Sequence, residues 1–244
     1  EFLPVHTSRY SSFDWFCACV VYHVEKNMAS GFAGNSPQTK KKGLEYLPTG
    51  RLVYSMTKER ILSTLLSLAG AHGLSNVSLS RVADECSITK AALFHHYESR
   101  RQLISELYRY GSSLAQAQMA TIELQGSAVD VLSCAMDHWH ELYAEEPLRS
   151  FYRIVEGEAL YCPEAMRIKH SHGEMIKAQS RAILERLSST GRLAIGDLEL
   201  ASLTFSATAH HYLLRLLSEE EGTVAWEEDQ FISAFVRLYD PALH

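Results

Sequence analysis

From Thr57 to the end of the chain, apolar residues recur every three to four positions and hardly ever every second one. Ile61, Leu62, Leu65, Leu66, Leu68 and Ala69 set the pattern; Leu103, Ile104, Leu107, Tyr108 and Leu114 repeat it. A strand presents alternate residues to one face and a helix every third or fourth. The spacing therefore predicts an all-α fold.

The breaks in the pattern predict where the helices lie. Gly73 stops the first. Ser78 or Ser80 can cap a short second helix carrying Val82 and Ala83, and Thr89 a third holding Ala91, Ala92, Leu93 and Phe94. Only "CSIT" separates the second from the third, which is a helix-turn-helix spacing. Ser99 opens a longer fourth helix. Beyond Gly126 come helices over 128–144, 147–161, from Pro163 to Gly191, from Asp197 to about Leu217, and over 224–239. Proline at a first helical position and glycine just past the last are the expected asymmetry.

Three segments follow: an N-terminal extension over 1–55, a three-helix helix-turn-helix domain over 56–105, and a larger helical domain over 106–244. The extension lacks periodicity. Its second half holds Gly31, Gly34, Pro37, Gly43, Pro48 and Gly50 and the run Lys40-Lys41-Lys42, and reads as mostly loop. Met28 and Met56 are both candidate starts, so this extension is expected to be partly disordered or vector-derived. For the rest, 46% hydrophobic residues is enough for a sizeable core.

Several function classes are disfavoured. The most apolar run, "FDWFCACVVYHV" at 13–24, is shorter than the roughly 20 residues a membrane span needs, so no membrane partner is expected. Glu1 is not followed by a basic region or a clear cleavage site, so no signal peptide is expected. Five scattered cysteines without a CxxC pair fit a reducing cytoplasm better than a disulfide framework. Charge divides unevenly. Residues 1–55 and 56–110 each carry a net +2, and residues 111–244 a net −10. Contact with an anion is therefore expected of the first half alone.

Residues 87–103, "SITKAALFHHYESRRQL", gather Lys90, His95, His96, Tyr97, Arg100 and Arg101 around Ile88, Leu93, Phe94 and Leu103. Neighbouring His95 and His96 point about 100° apart on a helix, so they do not chelate one ion together. Ser99 stands four residues past His95 but opens the next helix, off the one that carries the histidines, so a catalytic dyad is not supported. A polyanion surface explains more of these residues. A short helix held by its apolar face and projecting Thr89, Lys90 and His95 fits the DNA major groove. Arg100 and Tyr97 would stand where phosphates pass.

Residues 57–107, including "ILSTLLSLAGAHGLSNVSLSRVADECSITKAALFHHYESRRQLISEL", resemble the DNA-binding domain of the TetR family of bacterial transcription regulators. The resemblance implies DNA contacts from Ser78, Thr89, Lys90, Ala91, Phe94, His95, Tyr97 and Arg100. It departs from the family pattern where Ser87 replaces a turn glycine and Phe94 a tyrosine. Ala91 and Ala92 stand in place of Gly and Thr, and Arg100 and Arg101 in place of Lys-Glu. The remainder resembles the family's variable ligand-binding and dimerisation domain.

In that remainder, Met136, Trp139 and Tyr143 share a helical face, and Phe151, Tyr152 and Glu156 follow on the next helix. These six are the candidate site for an unknown, largely apolar small-molecule effector. The wide apolar faces of the last two helices make Leu203, His210, Leu213, Leu217, Phe231 and Phe235 candidates for a homodimer interface. The sequence reading is therefore a dimeric repressor of double-stranded, palindromic operator DNA, with no catalytic residues, metal or cofactor. Its alternatives are a regulator governed by a protein partner, and a helical enzyme or metal protein using His138, His140, His170 and Glu174.

Overall fold

The computed structural model describes residues 45–46, 52–53, 56–118, 122, 124–218 and 221–243. Expectations for the rest of the N-terminal extension, including its disorder and Lys40-Lys41-Lys42, lie outside the described residues. Within a stretch read as loop, β1 (Glu45–Tyr46) pairs antiparallel with β2 (Leu52–Val53).

The rest is helical, as the periodicity requires. Among the described residues the helices are α1 (Met56–His72), α2 (Leu79–Glu85), α3 (Lys90–His96), α4 (Arg100–Ala117), α5 (Ala128–Ala144), α6 (Leu148–Glu158), α7 (Pro163–Ser189), α8 (Leu198–Leu216) and α9 (Glu221–Leu238). Short 3₁₀ turns occupy Leu74–Asn76 and Pro241–Leu243.

Polar side chains close the helix starts. Ser78, not Ser80, caps α2 by accepting from the Arg81 amide; Thr89 caps α3 through the Ala92 amide. Ser99 does the same for α4 and Asp197 for α8. Each such cap is worth about 1 kcal/mol. Ser127 and Asp130 form a reciprocal capping box on α5. Pro163 opens α7, and Gly191 follows it at φ 70°. Two ends differ from expectation. α6 stops at Glu158, because the chain must turn before Pro163, and α9 begins at Glu221.

One hydrophobic core runs through both parts of the molecule. In the first, Ile61, Leu62, Leu65, Leu66, Val82, Leu93, Leu103 and Leu107 are buried. Each contributes roughly 1.5–3 kcal/mol by leaving water. In the second, α7 lies along α8, and α5 packs on α8 and α9. α6 joins the two parts. It packs on α1 and α4 on one side and on α5 and α7 on the other. The contact is close: a Cβ at Gly70 of α1 would overlap Ser150, and one at Gly111 of α4 would overlap the Phe151 ring.

Candidate functional site

The helix-turn-helix turn is set by a left-handed residue. Ser87 has φ 52°, the one positive φ of a non-glycine residue among those described. It carries there the strain anticipated from its replacement of glycine. Its amide donates to Asp84 O and that of Ile88 to Ala83 O, which folds α3 back across α2.

α3 is anchored by Leu93, fully buried, and by Tyr97 just beyond its end. Lys90, Ala91, Phe94 and His95 are exposed, with Phe94 at 40% despite its size. A short, rigidly held helix thus presents one cation, one imidazole and one aromatic ring outward. Ser78 and Thr89 stand exposed at neighbouring helix starts, with their side-chain oxygens already accepting capping bonds.

Two residues expected at a phosphate backbone are placed otherwise. Tyr97 is 2% exposed, and its hydroxyl donates to Lys58 O of α1 at 3.4 Å. Its ring is core, because the apolar stripe of α3 continues past the helix end. The Arg100 guanidinium donates to Val77 O at 2.7 Å and Leu74 O at 2.8 Å. It staples the 3₁₀ turn to α4, and the exposed cation beside it is Arg101.

In the larger part, Met136, Trp139, Tyr143, Phe151 and Tyr152 are all buried. They do not all meet, although Phe151 tilts against Tyr152 at 5.4 Å between centroids. Trp139 donates to Gln179 Oε1 at 2.8 Å and faces Phe205, whereas Phe151 turns toward α4. Tyr143 and Tyr152 do meet, stacked at 4.4 Å between centroids with 7° between planes. Glu156 lies beyond them, paired with Lys169 of α7.

This part holds two further residues, one missed and one misplaced by the sequence reading. His172 of α7 is 3% exposed, tilts against both tyrosines, and meets the Tyr143 hydroxyl through Nδ1 at 2.9 Å. Burial, with His210 adding to it, pushes its imidazole down to about 3. Its sequence signal was a lone polar residue in the inner stripe Ile168, His172, Met175 and Ile176, which periodicity cannot tell from a solvated one. His210 of α8 was placed at the dimer interface. Its Nδ1 is buried, and its basicity is lowered by burial and by Lys169 against the pull of Glu156. Burial raises the Tyr143 and Tyr152 phenols, so both keep their protons.

The other expected interface residues separate into two sets. Leu213, Leu217 and Phe235 are buried within the single chain, and Phe231 is half-buried against Phe205 and Tyr212. Their correction is physical: they form the seam joining α8 and α9 to the core. Leu203 is 50% exposed. With Leu200, Thr204, Ala207 and His211 it forms an outward stripe on α8, and Trp226, Gln230, Ser233, Ala234 and Leu238 form another on α9. Of the histidines weighed for a metal, His140 meets buried Glu228 at 2.6 Å, while His170 and Glu174 are exposed. No three His, Cys, Asp or Glu among the described residues are grouped to hold a metal.

Residues 61–107 match the family model for bacterial regulatory proteins of the tetR family. The match makes this segment similar to the DNA-binding part of TetR-family regulators. That family comprises non-enzymatic DNA-binding regulators. A probable acrEF/envCD operon repressor of Escherichia coli K12 is 28% identical over 60 residues, which is 25% of this chain and 27% of that protein. The uncharacterized HTH-type transcriptional regulator YerO of Bacillus subtilis 168 is 30% identical over 66 residues, 27% of this chain and 23% of that protein. These matches span about a quarter of the curated relatives' length. Solved structures extend the likeness of fold to the chain's larger part. A Rhodococcus transcriptional regulator superposes with TM-score 0.58 at 18% identity, over 75% of this chain and 97% of that one. A putative regulator from Saccharomonospora viridis, in complex with choline, gives 0.59 at 19%, with the same coverage. AibR, in complex with isovaleryl coenzyme A and operator DNA, gives 0.55 at 19%, over 76% and 98%. Among the described residues, no helix is long and apolar enough to cross a membrane.

Proposed function

We propose that this chain is a homodimeric repressor, acting in the bacterial cytoplasm, that leaves a palindromic operator when a small molecule enters its larger part. The observation that carries this is the outward set Lys90, Ala91, Phe94 and His95 on α3, held by buried Leu93 and Tyr97. In the major groove, Lys90 is placed to read a guanine edge and Phe94 a thymine methyl. Arg101, in place of Arg100, supplies the cation beside the backbone. One such helix reads only a few base pairs, so two-fold pairing supplies the remaining affinity.

The outward stripes of α8 and α9 support the pairing. Leu200, Leu203, Trp226 and Leu238 are each at least half exposed, on adjacent helices that pack together. Large apolar side chains gathered this way mark an interface. α6 supports the link to the effector. Tyr152 belongs to the Tyr143–His172 group, while neighbouring Phe151 and Ser150 press on Gly111 and Gly70. A shift of α6 on ligand binding has no slack there, so α1 and α4 move with it.

Selection of bound duplexes from a random pool by the full chain tests this reading. A two-fold symmetric motif is expected. An asymmetric motif, or no enrichment, would refute it.

A further inference from the structure

Among the buried polar atoms without a hydrogen-bond partner are His172 Nε2 on α7 and His210 Nδ1 on α8. Leaving such an atom unpaired costs about 1–3 kcal/mol, and folds keep few of them without a use. Burial disfavours a proton on both rings, and His210 adds to the effect on His172. Both are therefore neutral near pH 7. A neutral imidazole offers one donor and one acceptor.

His172 Nδ1 is the hydrogen-bond partner of the Tyr143 hydroxyl. That phenol keeps its proton, because burial raises it, and it is free to donate that proton to Nδ1 in the tautomer that suits both groups. The ring's own proton then sits on Nε2, the atom left unpaired. The ionisable groups around the pair come from every neighbouring helix: Tyr143 from α5, Tyr152 and Glu156 from α6, and Lys169 from α7. The two that are charged, Glu156 and Lys169, compensate each other as an ion pair.

We propose that His172 and His210 form the polar end of an effector site that takes an uncharged aromatic hydroxyl compound, a phenol. One hydroxyl accepts from His172 Nε2–H and donates to His210 Nδ1, satisfying both atoms at once. The ring packs beside the stacked Tyr143–Tyr152 pair. A carboxylate brings a charge to two neutral imidazoles whose neighbour Lys169 is already paired with Glu156, and burying it so is costly. A hydrocarbon leaves both nitrogens unpaired. The inference rests on the effector reading of the larger part and gives its ligand a chemical class.

The test uses phenol, benzoate and toluene, titrated calorimetrically into the full chain and into His172→Phe and His210→Phe, with circular dichroism checking the fold. Phenol is expected to bind at least tenfold tighter than either analogue. Its enthalpy at pH 7 should be the same in phosphate and Tris, since no proton is taken up. Each variant should lose at least tenfold for phenol and nothing for toluene. If His172→Phe does not fold, His210→Phe carries the same comparison. Preference for benzoate, proton uptake, phenol binding that ignores both substitutions, or no binding by any probe at millimolar concentration overturns the proposal. Operator affinity, measured separately, distinguishes the two readings. Histidine-dependent phenol binding that leaves DNA affinity unchanged refutes the effector role and leaves the site standing. DNA release by toluene but not phenol does the reverse.

Discussion

Gly111 of α4 lies against the ring of Phe151 of α6 so closely that a methyl group there would overlap it. Gly70 of α1 meets Ser150 in the same way, one residue earlier on α6. The DNA-binding part is thus seated on α6 at two points where only glycine fits. Gly111→Ala should cost about 1–3 kcal/mol through overpacking. Thermal unfolding should fall by several degrees, since about 2–4 °C accompanies each kcal/mol in a chain of this size. Gly157→Ala is the control: nothing lies within 4 Å of a Cβ there. It should be neutral or gain up to about 1 kcal/mol from helix propensity. Equal melting temperatures for the two variants would show that the α4–α6 contact is not tight.

Ser87→Gly should stabilise the chain. A non-glycine residue held in the left-handed region costs on the order of 1 kcal/mol, and Ser87 sits there at φ 52°. Glycine removes that strain but adds freedom to the unfolded chain, so the net gain expected in chemical denaturation is about 0.5 kcal/mol. Ser87→Val should lose stability. A stabilising valine would mean that the turn is not held left-handed in solution.

Arg100 and Lys90 should separate stability from recognition. Arg100→Ala strips the donors from Val77 O and Leu74 O. It should cost about 1.5–3 kcal/mol, as hydrogen bonds from a charged donor do. Lys90→Ala should leave unfolding unchanged, because Lys90 is exposed, and relax base preference at one position by roughly 1–3 kcal/mol. The reverse pattern, with Arg100 dispensable to folding, would return it to the phosphate backbone.

Much of this was legible in the sequence where one residue type decides a local conformation. The caps Ser78, Thr89, Ser99 and Asp197, Pro163 at its helix start, and Gly191 past a helix end all act through their nearest neighbours. What was not legible depended on which of two apolar faces turns inward. α8 is apolar on both sides, so periodicity could not tell buried Leu213 from exposed Leu203. Tyr97, Arg100 and His172 failed for a related reason. Each spends its polar atom on a partner far along the chain, Lys58, Val77 with Leu74, and Tyr143. Local pattern carries no trace of such pairings.

The two faces of α8 and α9 can be told apart by charge. Leu203→Glu and Trp226→Glu should give folded monomers by light scattering, since both side chains are at least half exposed. Leu213→Glu and Phe235→Glu should instead unfold the chain, because an unpaired charge would be buried. A Leu203→Glu, Trp226→Glu double variant that stays dimeric would place the interface elsewhere.

Acid should destabilise the chain through His172. Its folded imidazole is held down at about 3, against about 6.5 unfolded. Above 6.5 both states are neutral and no penalty applies. Between 6.5 and 3 the unfolded state binds a proton that the folded state refuses, so stability falls as pH falls. The slope from this residue approaches about 1.4 kcal/mol per pH unit. His172→Phe should flatten that limb, and an unchanged slope would show that His172 is solvated.

In the proposed function, two copies of this chain grip one two-fold symmetric duplex through α3. Sedimentation of the full chain with a selected duplex counts the copies directly. Two chains per duplex are expected, with the complex lost in the Leu203→Glu, Trp226→Glu variant and its sequence preference lost in Lys90→Ala. A single chain bound per duplex, or undiminished preference in Lys90→Ala, would contradict it.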